Sequence, residues 1–141
     1  MIKVYSDLNC PYCYALHAHL QVARPEQMEY CWVQHAPALR IPLRPSPAMT
    51  EMLQEEVQHI QHIIPELDIR PPPAKPNTGP AIRLLAKATL LNPLKTQALA
   101  TRLFQAFWRE GRDLSAPAVL QDACEAVAIP EGFDLTPESD A

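Results

Sequence analysis

Glycine is almost missing from this chain of 141 residues: only Gly79, Gly111 and Gly132 occur. Neither a glycine-rich phosphate loop nor a dinucleotide fingerprint can be written with so few. Positive charge is thin as well. The 12 Lys and Arg stand singly along the chain against 16 Asp and Glu, a net charge of −4. Nucleic acid, which needs a clustered cationic face, is therefore not expected as the main partner. Long uncharged apolar runs are absent, so no membrane span is expected, and 48% apolar with 20% charged residues describes a globular chain of one domain. Cysteine is sparse. Cys10, Cys13, Cys31 and Cys124 are too few and too unevenly spaced for the disulfide framework of a small secreted domain. The opening Met1–Ser6 reads directly as a strand without the apolar centre of a signal peptide, and the expected setting is cytoplasmic. Proline, by contrast, is abundant: 16 residues, where average usage would give roughly 7.

The chain begins as strand, helix, strand. Residues 2–6 and 28–35 alternate and are rich in β-branched and aromatic side chains, while residues 14–22 have helical length and propensity. Such an order predicts a parallel, right-handed crossover. Prolines between 37 and 47 mark a loop, and from there the pattern turns helical. Met49, Met52, Leu53, Val57, Ile60 and Ile64 form one stripe, closed by Pro65. The run Arg70–Pro76 should be extended. Pro80, after the candidate caps Asn77 and Thr78, opens a helix through Leu91 that is apolar nearly all round and is expected to be the buried centre. A further helix runs from Asn92-Pro93 through Leu94, Ala98, Leu99, Leu103, Phe107 and Trp108 to Gly111, and Ser115 is expected to cap the last one. The expected division is a βαβ unit over 1–36, a helical domain over 37–130 and a frayed tail over 131–141.

Cys10-Pro11-Tyr12-Cys13 lies between the first strand and the first helix. Cysteines three apart on one helical turn face the same way at a separation a disulfide can close. Cys10 would sit at the helix N-terminus, where unpaired amides and the helix dipole favour a thiolate, making it the attacking sulfur. Pro11 suits the first helical position because it has no amide hydrogen to leave unpaired. Tyr12 is placed to tune hydrogen bonding and exposure of the sulfurs, and Cys13 is the resolving partner. Zinc is the competing chemistry of such a pair. It would need about four ligands, and His59 with His62 fit the usual spacings poorly, so no metal is expected.

The stretch Ser6-Asp7-Leu8-Asn9-Cys10-Pro11-Tyr12-Cys13-Tyr14 resembles the active-site segment of the DsbA-like oxidoreductases. A second match runs from Pro76-Asn77-Thr78 through Ala81, Arg83-Leu84 and Ala88 to Leu103–Leu114 and Val119-Leu120. In that order the two resemble the helical insertion of that family and of its relatives, the 2-hydroxychromene-2-carboxylate isomerases and kappa-class glutathione transferases. The resemblance covers nearly the whole chain and implies an α/β, thioredoxin-like βαβ unit with a helical insertion. It implies a thiol–disulfide oxidoreductase acting on a disulfide-bearing protein or a small-molecule thiol, with no separate cofactor. Because both cysteines are kept, the dithiol branch is the better match. A glutathione-dependent isomerase or transferase, with glutathione as co-substrate, is the alternative. Asn77 and Thr78 would, by similarity, face the active site and bind substrate, or else simply cap their helix.

The same resemblance implies two more strands and a helix after the insertion, preceded by a cis proline opposite the dithiol. After the last helix only Ile129–Asp134 and a polar tail follow, so this ββα part is expected to be absent. The first strand would then keep a bare edge, which a homodimer could cover, and a truncated, non-catalytic dimerising module is the reading from another class. Cys31 and Cys124 are expected as core thiols. His17 and His19 face apart on their helix, which speaks against a metal pair, and His17, four residues after Cys13, is expected in solvent rather than at the dithiol.

Overall fold

The computed structural model of the protein describes residues 1–34, 46–72 and 74–129. Strand β1 (Ile2–Ser6) passes through a short loop into helix α1 (Pro11–Ala23), and β2 (Met28–Trp32) returns to pair with β1 in parallel. Ile2 lies opposite Met28 and Ser6 opposite Trp32. Four helices follow: α2 (Pro47–Ile63), α3 (Gly79–Leu91), α4 (Thr96–Trp108) and α5 (Pro117–Ala126), with a 3-10 turn at Pro93–Lys95 leading into α4. The strand–helix–strand start and the helical remainder match the sequence expectation. Residues 35–45, including His35 and most of the proline-rich loop, fall outside the described residues, as do Pro130 and the tail.

Much of the proline excess has a structural use. Pro11, Pro47, Pro80, Pro93 and Pro117 each stand in the first or second position of a helix, where a missing N–H costs nothing and a fixed φ prepares the turn. At the start of α2 the Ser46 hydroxyl also accepts from Met49 N–H at 3.2 Å. At the far end of α4, Gly111 takes a positive φ of 68° and its N–H bonds to Phe107 O at 3.1 Å. This seals the helix terminus in a conformation that glycine adopts without strain.

Apart from Val4 of β1, the buried apolar side chains among the described residues form one cluster, running from Leu8, Tyr14 and Ala15 into all four later helices. Its centre is α4 rather than α3. Leu99, Ala100, Leu103, Phe104, Ala106, Phe107 and Trp108 are all buried, because α4 packs against α1, α3 and α5 at once. Helix α3 buries only the side with Ala81, Leu84, Leu85 and Ala88, leaving Leu90 and Leu91 exposed. Leu94, expected on the α4 stripe, is 96% exposed because the 3-10 turn sets it off the helix axis.

Three other local expectations are corrected. Ser115 does not cap α5: its N–H and hydroxyl both donate to Asp113 Oδ1, at 2.9 and 2.6 Å, and Ala116 occupies the cap position. Cys31 is not a core thiol. Tyr30 and Trp32 take the face of β2 that meets His17 and Phe104, so strand alternation turns Cys31, half-buried, to the other face beside exposed Tyr5. Cys124 is buried as expected. His17 is only 2% exposed and does not face solvent.

Candidate functional site

Cys10 and Cys13 are free and half-buried at the end of the β1–α1 loop. Cys10 is the N-cap of α1, with extended backbone (φ −105°, ψ 121°), and its carbonyl accepts the first helical bond from Tyr14 N–H at 3.1 Å. Cys13 lies in the first turn, as the three-residue spacing requires. The two thiols lie close enough for their side chains to interact through a hydrogen bond. The bond from Cys10 pulls Cys13 down from 9.0 to about 6, helped by the Asp7 amide and the Ser6 hydroxyl. The same bond, with burial, pushes Cys10 up, against the favourable Cys13 and Tyr12 amides at the helix start. One sulfur of the pair can thus be ionised near neutral pH while the other keeps its hydrogen, the form in which a dithiol exchanges.

Pro11 is buried at the helix start, whereas Tyr12 is half-exposed and meets the ring of His59 from α2 edge-on, at 6.3 Å between centroids. Asn77 and Thr78, 64 or more residues further along the chain, come to the loop before the dithiol. Thr78 Oγ1 donates to Asp7 Oδ1 at 2.7 Å, and the same oxygen accepts the Leu8 N–H at 2.7 Å. Asn9 Nδ2 donates to Pro76 O at 3.3 Å, and Trp108 Nε1 to Leu8 O at 2.9 Å. Asn77 Oδ1 accepts from Gly79 N–H and from Gln34 Nε2, each at 2.9 Å. A Cβ at position 79 would sit 3.1 Å from that oxygen, a tight approach that the Asn77 side chain would have to yield to. Asn77 therefore acts as the cap of α3, and Thr78, although at the N-cap position, makes no cap bond with its side chain. Ser6, Asp7 and Gln34 are the neighbours that sequence reasoning missed, since their partners are distant in sequence or reach them only through the fold.

A second missed group lies one turn beyond Cys13 on α1. His17 Nε2 is 2.7 Å from Thr101 Oγ1, and Nδ1 is 2.8 Å from Tyr30 Oη. Thr101 gives its own hydrogen to Gln97 O at 3.0 Å, so the imidazole carries its hydrogen on Nε2 and accepts from Tyr30 on Nδ1. Burial pushes His17 down to about 4 and Tyr30 up to about 12. Phe104 packs on the His17 ring at 5.0 Å, and Tyr30 stacks on Trp32 at 5.0 Å. In this way α1, β2 and α4 are fastened at one point. Among the described residues no group of three or more His, Cys, Asp or Glu side chains is gathered to hold a metal, and no helix is long and apolar enough to cross a membrane.

Residues 1–136 match the family described as the DSBA-like thioredoxin domain. Among solved structures the fold is similar to that of a Nitrosomonas europaea chain described as "a putative protein disulfide isomerase", with a TM-score of 0.75 at 16% identity. The similarity covers 93% of this chain and 66% of that one, so the chain spans less than two thirds of the neighbour's length. No match is found among curated proteins.

Proposed function

The chain belongs to the DSBA-like thioredoxin domain family, and from that premise we propose that it is a thiol–disulfide oxidoreductase whose working pair is Cys10 and Cys13. The observation that carries this reading is the pair of free, half-buried thiols at a helix N-terminus, Cys10 at the cap of α1 and Cys13 in its first turn. Transfer of a proton from Cys10 to its neighbour Cys13 leaves the attacking thiolate on Cys10. Its sulfur attacks a substrate disulfide, a new S–S bond forms to Cys10, and the departing substrate sulfur takes the electron pair. Cys13 then gives its proton to that departed sulfur and attacks Cys10, closing the Cys10–Cys13 disulfide and releasing the second substrate sulfur as a thiolate. Two electrons have passed from the pair to the substrate, and the reverse sequence oxidises a substrate dithiol.

The substrates in this reading are disulfide-bearing proteins or small thiols such as glutathione in a cytoplasmic setting, with no separate cofactor. Pro11 and Tyr12 tune the pair, and Asn77 borders the substrate, whereas Thr78, fully buried and bonded to Asp7, is out of a substrate's reach. Cys10→Ser should abolish reduction of insulin by the full chain with a dithiol as electron source. Full activity in that variant overturns the reading. One observation favours a second, dimeric state: among the described residues β1 pairs on one side only, and Ile2 and Tyr5 at that strand are exposed. We propose that a second copy covers this edge, and a monomer in sedimentation at high concentration would rule it out.

A further inference from the structure

Strand β2 pairs with β1 on one side, and the phase of that pairing fixes what is left on the other. Ile2 N–H bonds to Gln27 O and Val33 N–H to Ser6 O, each at 2.9 Å, at the two ends of the parallel register. Alternate residues of a parallel strand turn both backbone groups to one neighbour, so the odd-numbered residues of β2 face β1. The N–H and C=O of Met28, Tyr30 and Trp32 point the opposite way, and among the described residues no strand pairs with them. These same three residues line one side of a crevice of about 220 Å3, whose other side is Thr89 of α3, Pro93, and Thr96 and Gln97 at the start of α4. Such a volume is many times what one water needs. The polar groups of that far wall are spent elsewhere: the Thr89 and Thr96 hydroxyls donate to Leu85 O and Asn92 O, and Gln97 Oε1 accepts from Gln21.

We propose that this crevice is a docking site for an extended segment of a partner protein, apolar with a basic residue, which adds to β2 as a further strand. An extended backbone brings donors and acceptors at the spacing of the edge, which a small molecule does not. The apolar character follows from Leu90, Leu91 and Leu94, which flank the wall along the chain and are exposed. The basic residue follows from Glu29, the one charged side chain lining the crevice among the described residues. The wall sets this edge in a recess. A second copy would bring its own α3 and α4 against that wall before the two edges came within the ~4.8 Å of paired strands, whereas a single extended chain can enter. The site lies on the opposite edge of the sheet from β1 and does not depend on the dithiol.

The test is amide hydrogen exchange of the full chain, followed residue by residue. In the free protein Glu29, Cys31 and Val33 should be protected by β1, while Met28, Tyr30 and Trp32 should exchange about tenfold faster or more. The probe is the peptide acetyl-Leu-Lys-Val-Lys-Leu-amide, which in excess should slow Met28, Tyr30 and Trp32 toward the rates of their neighbours. An analogue with proline at its centre has no N–H there and cannot continue a ladder, so it should bind about tenfold more weakly or not at all. An analogue with glutamate for both lysines should bind wild type about fivefold more weakly than the probe, as should the probe on Glu29→Lys. Protection of the three amides without peptide overturns the inference: at every dilution it means that the chain covers its own edge, and if it grows with protein concentration a second copy does. A probe that leaves the three amides unchanged overturns it too, as does equal binding of the proline or the glutamate analogue.

Discussion

His17 should make the native protein acid-sensitive, by an amount that the structure allows to be worked out. The ring is 2% exposed, and both nitrogens are engaged by hydroxyl groups, those of Tyr30 and Thr101. A proton added at Nδ1 would displace the hydrogen that Tyr30 gives it and would place a charge beside Phe104 and Tyr30. The folded pKa is accordingly about 4 against an ordinary 6.5. Because the folded value is the lower one, the unfolded chain binds the proton first as pH falls. Stability is lost from about pH 6.5 downward, reaching ~2 kcal/mol at pH 5 and ~3 kcal/mol below pH 4. Urea unfolding of wild type and His17→Gln, at pH 7.5 and pH 5, isolates the effect. Glutamine can still donate and accept but does not titrate. The variant should start weaker by ~1–2 kcal/mol at pH 7.5, from imperfect geometry at Tyr30 and Thr101, yet lose ~2 kcal/mol less on going to pH 5. Equal losses in the two proteins would refute the reasoning, as would a proton-resonance titration of the native His17 ring centred at 6.5 or above.

Three further outcomes are expected. Cys13→Ser should accumulate a persistent mixed disulfide on Cys10 when exposed to oxidised glutathione, seen as a mass increase, whereas Cys10→Ser should form no lasting adduct at Cys13. Trp108→Phe removes the donor to Leu8 O and leaves room in the core, so it should cost ~1–3 kcal/mol in urea unfolding; a cost near zero would show that the indole does not secure the loop. For the reduced thiol pair the sign is opposite to that of His17. The lowered pKa of Cys13, about 6 against 9.0, adds stability as pH rises between those values and loses it as pH falls back through 6. Above 9 the raised Cys10 works against folding. Relative to the double serine variant, reduced wild type should therefore gain stability from pH 6 to 9, and a flat difference would contradict the lowered pKa of Cys13.

What the sequence made legible was local. The alternation of residues 2–6, the helix after them and the three-residue spacing of Cys10 and Cys13 each depend on neighbours along the chain, and the structure shows all three. The surroundings of the dithiol were not legible, because their partners are remote: Thr78 lies 71 residues from Asp7, Thr101 lies 84 from His17, and Trp108 lies 100 from Leu8. A histidine between polar and apolar neighbours on a helix gives no sign of burial until α4 and β2 close over it. Cys31 was misread for a different reason. Alternation shows that Tyr30 and Trp32 face together and Cys31 faces away, but only the packing of Phe104 decides which face is inner. Ser115 has the residue type of a cap but does not act as one, because Asp113, two residues before it, takes the same hydroxyl.

The chain contains two tryptophans, and their placement makes it a two-channel optical instrument. The Trp108 indole is bonded to the carbonyl of Leu8, two residues before Cys10, so its emission should respond when the dithiol closes or opens. The Trp32 ring lies parallel to Tyr30 at 5.0 Å, and Tyr30 holds His17, so its emission should respond to acid. Replacing either indole by phenylalanine would let fluorescence follow oxidation and protonation separately, without any added label.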